Sequence, residues 1–275
     1  EEVSIYNNQT LFIDKYNKDD LYNSFGNISY YNKSFYNNDG SIRDLDKVSS
    51  VTNKNILEVG CSSAGLLRYF YENGANCWGI ELSNKTLNNA KLWNEDINIK
   101  LLQGDICDQK LNDIIKKNNF DIIIIRDVIE HVSDQKQALK NMFSLLKTSG
   151  VIFISCPSKW SPYSGHQQIA TNLICKLPYF YLIPGKLYNA SLKLLGQTKA
   201  MREFLIETKK RRLTVNNLQE IIKYVGFKIL KKDLYFIRPA YQFRFGFKII
   251  KNIFSEIPIL MDIFSNGMIF LIRKK

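Results

Sequence analysis

From Asn53 onward, short apolar runs alternate with amphipathic stretches. The apolar runs predict strands at Asn55–Val59, Asn76–Glu81, Ile97–Leu102, Asp121–Ile125 and Val151–Cys156. Between them, helical spacing predicts Gly65–Asn73, Lys85–Trp93, Leu111–Lys117 and Gln135–Leu146. Such alternation indicates a parallel, doubly wound α/β sheet. Ile122–Ile125 is apolar on both faces, as a central strand covered on two sides requires. After Pro157 the rhythm fails, and 158–211 reads as an inserted cap, not a second domain. Order returns with a helix at Val215–Val225, a turn at Gly226, and strands near Phe227–Phe236 and Met268–Ile272. The last two are expected to pair as an antiparallel hairpin at the sheet edge, on either side of a basic, aromatic excursion (Arg238–Phe254). Residues 1–50 are rich in Asn, Tyr, Asp and Lys and read as a helical or irregular collar. The expected whole is a mostly parallel seven-stranded core (51–157 and 212–275) with a collar (1–50) and a cap (158–211).

Composition changes this picture little. The chain of 275 residues, 45% apolar and 23% charged, is ordinary for a globular protein. A net charge of +12 favours anionic partners: a phosphorylated small molecule, nucleic acid or an acidic membrane surface. The lysines are spread along the whole sequence, so compositional drift explains the charge as well. Five cysteines, odd in number and without a CxxC pair, point to a reducing, cytoplasmic setting. No apolar run reaches the ~18 residues of a membrane span, and the acidic start (Glu1, Glu2) does not read as a signal peptide.

The most informative stretch is Asn55–Phe70, a strand, a small-residue turn and a helix start. Its Gly60-x-Ser62-x-x-Gly65 spacing is close to a dinucleotide fingerprint. Two residues redirect it. Ser62 puts a side chain where a pyrophosphate needs close backbone approach, and Glu58 sets a carboxylate where a pyrophosphate would be repelled. A ligand with an ammonium group and no phosphate, such as S-adenosylmethionine, fits better.

Four further segments follow in order: Gly79-Ile-Glu81-Leu82-Ser, Gln103-Gly-Asp105-Ile106, Phe120-Asp121 through Asp127-Val-Ile-Glu130-His131, and Leu145–Pro157. Together with the turn they resemble the Rossmann-like class I S-adenosylmethionine-dependent methyltransferases. The pattern is most similar to the subgroup of ubiquinone-biosynthesis O-methyltransferases and small-molecule methyltransferases. The resemblance covers residues 53–157 well, 212–236 weakly, and neither 1–50 nor 158–211. It implies a cofactor site of Glu58, Gly60, Ser62, Gly65, Glu81, Leu82, Asp105, Ile106, Arg126 and Asp127. Glu58 would hold the methionine ammonium, Glu81 the ribose hydroxyls and Asp105 the adenine amino group. The plain alternative for each acid taken alone is a solvated loop-end residue. Ser62 and Ala64 depart from the glycines the family usually has, which stiffens the turn.

His131 and His166 are the only histidines, and both fall at the expected rim of the site. Asp127, Glu130 and His131 stand at i, i+3 and i+4, a spacing that one helical turn would bring to a common face. Three readings stay open. Glu130 and His131 are a structural pair; His131 or His166, with Glu130, is the catalytic base machinery; or Asp127, Glu130, His131 and His166 hold a divalent ion. The last arrangement resembles the metal site of small-RNA 3′-end 2′-O-methyltransferases, and its mixed donors suit Mn²⁺, Fe²⁺ or Zn²⁺ better than Mg²⁺.

The cap is expected to select the acceptor, through aromatics such as Trp160, Tyr163, Tyr179, Phe180 and Tyr181. The densest charge run, Lys209–Arg212, is either a solvated face or a phosphate contact. The leading expectation is O-methylation of a hydroxylated small molecule: a sugar, a quinone-like ring, or a lipid- or nucleotide-linked intermediate. Rival readings are an RNA 2′-O-methyltransferase with a divalent metal and an NAD-binding Rossmann protein. Leu173–Leu195 and Phe247–Phe264, apolar with flanking lysines, are candidates for peripheral membrane contact.

Overall fold

The computed structural model describes residues 51–238, 241 and 246–275, so the expected collar (1–50) lies outside the described residues. Five parallel strands form the first half: β1 (Asn55–Val59), β2 (Asn76–Glu81), β3 (Lys100–Gln103), β4 (Phe120–Arg126) and β5 (Leu146–Cys156). Helices α1 (Gly65–Glu72), α2 (Asn84–Trp93), α3 (Gln109–Ile115) and α4 (Gln135–Leu145) connect them. The remaining elements are α5 (Gly185–Leu194), α6 (Lys199–Arg211), α7 (Val215–Val225), β6 (Phe227–Ile237), β7 (Ile250–Lys251), α8 (Pro258–Ile263) and β8 (Gly267–Lys274).

The strand order is β3-β2-β1-β4-β5-β8-β6-β7. The doubly wound, mostly parallel expectation therefore holds, with two differences at the second half of the sheet. An eighth strand, the two-residue β7, lies outside β6. And β8 is not an edge strand: it inserts between β5 and β6, antiparallel to both. Its pattern explains why. Met268, Phe270, Leu271 and Ile272 are buried, a two-sided burial that an edge position does not supply.

Two apolar layers sandwich the sheet. Leu57, Ile123, Ile152 and Phe227 face α3, α4 and α7, while Ile56, Ile122, Ile124 and Phe153 face α1. The strand β3 begins at Lys100 instead of Ile97, because Ile97 and Ile99 close turns with Asn94 and Ile97.

The cap is more regular than its sequence suggested. It contains α5 and α6 and a small core of its own, with Tyr181, Tyr188, Leu192 and Leu205 fully buried. Tyr181 donates to the carbonyl of Ser161 (2.8 Å), and Phe180 packs on Tyr188. These two aromatics thus hold the cap together, while Tyr163 and Tyr179 are exposed and Trp160 is half-buried. The run 209–212 is half-buried except for exposed Lys210. Lys209 reaches the carbonyl of Ile183, Lys210 pairs with Glu207, and Arg212 stacks over Tyr181 while donating to the carbonyl of Lys159.

Candidate active site

Acids stand at or just beyond the C-terminal ends of β1 to β4: Glu58, Glu81, Asp105 and Asp127. The β1–α1 turn that links the first two is wound tightly. Gly60, Ser62 and Ala64 have φ of 72°, 48° and 59°. The path is therefore the one glycines would take, at a cost of roughly 1 kcal/mol or more for each of the two side-chain-bearing residues. Glu81 holds this turn in place. One carboxylate oxygen accepts from the Ser62 N–H and the other from the Ser83 N–H, each at 3.0 Å. Gly65 opens α1, and Leu82 lies exposed beside Glu81.

Glu58 is buried, with Arg126 Nη2 at 3.4 Å from its Oε1. Its Oε2 is buried with no hydrogen-bond partner. Burial pushes this carboxyl up to about 7, Arg126 pulls it down, and Glu81 pushes it up further. Asp105 caps its own loop by accepting from the Cys107 N–H (2.8 Å), and buried Ile106 accepts at its carbonyl from Asn141 (2.7 Å).

Beyond β4 the chain turns sharply. Asp127 has φ of 52°, and its N–H donates to the Ser155 carbonyl on β5. The His131 N–H closes the turn on the Val128 carbonyl. This is not the regular helical turn expected from the spacing. With Asp127 in the left-handed region, its carboxylate meets Arg238 Nη2 at 2.6 Å. The three groups that do converge are Glu130, His131 and His166, whose ligating atoms lie within 4.8 Å of one another. Of the four residues expected to hold a metal, these three come together, while Asp127 meets Arg238.

His166 comes from the cap. Gly165 lies against Tyr181 so closely that a Cβ would sit 2.4 Å from the tyrosine Cβ, and His166 itself has φ of 54°. The two imidazoles meet edge to face at 4.5 Å between centroids, and Phe204 of α6 stacks on His131 at 6.2 Å. Burial lowers His131 to about 4, with His166 and Arg211 adding to the effect against Asp127, and burial lowers His166 too. Both rings are therefore neutral near pH 7. Glu130 is fully buried with neither oxygen hydrogen-bonded, and burial holds it well above the usual carboxylate range. At 4.0 Å from a neutral His131 it makes no ion pair. Buried polar atoms left in this way need a partner.

Residues 57–154 match the Methyltransferase domain family. The stretch runs from β1 to β5. It is similar to a methyltransferase domain over about a third of the chain. Among curated relatives, a ubiquinone biosynthesis O-methyltransferase of Pelagibacter ubique is 31% identical over 44% of this chain and 48% of its own length. One from Coxiella burnetii is 29% identical over 42% and 48%. The chain thus spans about half the length of the curated relatives it matches. The fold is shared with an S-adenosylmethionine-dependent methyltransferase structure from Mesorhizobium loti, at a TM-score of 0.52 and 16% identity, covering 86% of this chain and 99% of that one. The class inferred from the sequence motifs stands on these matches.

Outside the matched stretch, two arginines meet the candidate site without a sequence signal for that contact. Arg238, which meets Asp127, lies 111 residues away in the excursion after β6. Arg211 donates to the His131 carbonyl (2.8 Å), and the Gln135 side chain donates to the Arg211 carbonyl (2.8 Å), so the end of α6 is tied to the site from both sides. The Glu58–Arg126 pair joins two residues that were read separately. Cys61, Cys77 and Cys156 are buried, where a thiol acts as a small apolar filler. Among the described residues no helix is long and apolar enough to cross a membrane.

Proposed function

We propose that this protein transfers the methyl group of S-adenosylmethionine to a hydroxyl oxygen of a small-molecule acceptor. The observation that carries the proposal is the methyltransferase-domain match over 57–154, with the imidazoles of His131 and His166 meeting edge to face just beyond β4 and β5. Glu58 suits the ligand's ammonium, since its buried Oε2 lacks a partner. Glu81 suits the ribose diol, each carboxylate oxygen retaining a lone pair after its backbone contact. Asp105 and Ile106 suit the adenine edge, and Gly60, Ser62, Gly65, Leu82 and Arg126 line the path between.

In the reaction the hydroxyl loses its proton to a ring nitrogen of His131 or His166. Its oxygen attacks the methyl carbon, and the sulfur–carbon bond breaks with its electron pair returning to sulfur. S-adenosylhomocysteine leaves as a neutral thioether. Orientation supplies much of the rate, and a positioned base adds about 10²–10⁴-fold.

A second reading has its own observation. Glu130, with both oxygens buried and unpartnered beside two neutral imidazoles, fits a divalent cation of the Mn²⁺, Fe²⁺ or Zn²⁺ kind. Such an ion, when bound, would acidify the acceptor hydroxyl. Glu130, His131 and His166 would be the residues that hold it.

Two experiments test the function. Calorimetry with S-adenosylhomocysteine and with NAD should show binding of the first alone; tight NAD binding alone ends the proposal. Transfer of labelled methyl from S-adenosylmethionine to phenolic, catecholic and sugar hydroxyls, but not to amine or thiol analogues, supports oxygen as the acceptor. Transfer to structured RNA instead would move the assignment to the RNA reading.

A further inference from the structure

The densest charge run of the sequence ends in two consecutive arginines, and both are half-buried. Arginines that serve only solubility keep their heads in water. These two donate instead to backbone carbonyls of distant segments. Arg211 is the last residue of α6, and Arg212 leaves the helix with φ of −58° and ψ of 136°. The change from helical to extended backbone sends the two side chains to different places.

Arg211 goes to the first imidazole. Its Nη1 donates to the His131 carbonyl at 2.8 Å. Its own carbonyl, at a helix end without an intrahelical partner, accepts from the Gln135 side chain at 2.8 Å. Phe204 and Arg211 stand seven residues apart on α6, and so share a face. Phe204 stacks on the His131 ring while Arg211 takes the His131 carbonyl. The His131 N–H is closed on Val128, so ring, N–H and carbonyl are each held.

Arg212 goes to the turn that delivers the second. Its guanidinium lies 4.1 Å over the Tyr181 ring, and Nη1 donates to the Lys159 carbonyl (3.0 Å) and to Ser164 Oγ (3.4 Å). Ser164 Oγ also donates to the Lys159 carbonyl (2.7 Å), and Tyr181 to that of Ser161 (2.8 Å). Gly165 rests against Tyr181, and the His166 N–H donates to the Tyr163 carbonyl. The segment 159–165, which ends at His166, is thus built on Arg212 and Tyr181.

We propose that Arg211 and Arg212 are positioning residues that fix the spacing between the His131 and His166 rings, one arginine holding each. One helix end then sets both halves of a pair whose members lie 35 residues apart in the chain. Their value to catalysis rests on the imidazoles receiving the acceptor proton, as proposed above. A displacement of 1 Å in such a pair costs about 10²-fold in rate. A planar guanidinium can hold two acceptors while stacked on a ring, which an ammonium cannot.

The chain has only two histidines, so histidine-labelled, untagged full-length protein gives one set of ring signals for each. The wild type should show a nuclear Overhauser cross-peak between the two rings, whose centroids are 4.5 Å apart. Arg211→Met and Arg212→Met keep the aliphatic stem and remove the donors; each should lose the cross-peak. In the labelled-methyl assay kcat should fall about 10²-fold in each, with S-adenosylhomocysteine affinity within about threefold. Arg211→Lys retains a donor for its single carbonyl and should restore the cross-peak, whereas Arg212→Lys lacks the fork and should not. Lys210→Met, exposed in the same run, should change nothing. Thermal melting shows that each variant is folded; should a Met variant fail to fold, Gln135→Leu loosens the same helix end and should weaken the cross-peak. A cross-peak absent from the wild type, or kept in the folded Met variants, overturns the proposal. So does a rise in acceptor KM alone with the cross-peak intact, which would make the arginines acceptor contacts. A cross-peak lost with kcat unchanged upholds the positioning and overturns instead the role of the imidazoles as bases.

Discussion

His131 and His166 lie edge to face with ring centroids 4.5 Å apart, one on the loop after β4 and the other in the cap. The contact means that the cap contributes one ring of the imidazole pair, so the core alone does not hold both. If these rings remove the acceptor proton, His131→Ala and His166→Ala should each lower methyl transfer by about 10²–10⁴-fold. Affinity for S-adenosylhomocysteine should change less than about threefold, since neither ring adjoins Glu58 or Glu81. Parallel calorimetry and turnover measurements check both halves of the statement.

Glu130 separates the base reading from the metal reading. If the triad holds a cation, Mn²⁺ or Zn²⁺ at a hundredfold excess over its Kd should stabilise the wild type by about 2.7 kcal/mol. That corresponds to a rise in Tm of about 5 °C or more for a chain of this size. Glu130→Gln should abolish the rise. No shift in the wild type leaves the imidazoles as bases without a metal.

The Glu58 carboxyl gives a pH dependence. Its folded-state pKa, about 7, stands above the ordinary 4.5, so between these values the folded protein holds the extra proton. Stability from this group therefore falls as pH rises through that window. Ligand affinity runs the other way, because an ammonium needs the charged carboxylate. Affinity for S-adenosylhomocysteine should rise by up to about tenfold per unit below pH 7 and flatten above it. Glu58→Gln should bind more weakly and lose this dependence, as calorimetry from pH 5.5 to 8 would reveal.

Glu81 carries two tasks, bracing the turn through the Ser62 and Ser83 N–H groups and facing the sugar diol in the proposed complex. Hydrogen bonds to charged groups contribute about 1.5–3 kcal/mol each. Glu81→Ala should weaken S-adenosylhomocysteine by at least about tenfold. Unchanged affinity would remove the cofactor assignment.

Gly60 tests the turn itself. Its φ is 72°, and an added Cβ would lie 2.3 Å from Val128 Cγ2. Left-handed strain plus overpacking predicts that Gly60→Ala destabilises by roughly 2–4 kcal/mol. Because Val128 directly follows Asp127, the variant should also disturb the loop that carries Glu130 and His131. Chemical denaturation measures the first effect and turnover the second.

Legibility in the sequence followed the range of the signal. Strands β1 and β2 and helix α7 begin and end where the apolar pattern placed them, since each buries a face written in consecutive residues. Helices α5 and α6 were not read. The first is apolar on two sides, and the second buries only Met201, Leu205 and Thr208 among thirteen residues. The antiparallel pairing of β6 with β8 was legible, but nothing local says that β8 also pairs with β5.

By itself the sequence determined the alternating α/β order, the tight bend after β1 and the acids closing successive strands, because each rests on residues near one another along the chain. Tertiary structure alone decided that Asp127 meets Arg238, that Arg126 sits beside Glu58, and that Arg211 ties the cap to His131. The neutral imidazoles and the raised carboxyls of Glu58 and Glu130 belong to the same class. Their protonation depends on how much water the fold removes, a quantity set by distant segments closing over them.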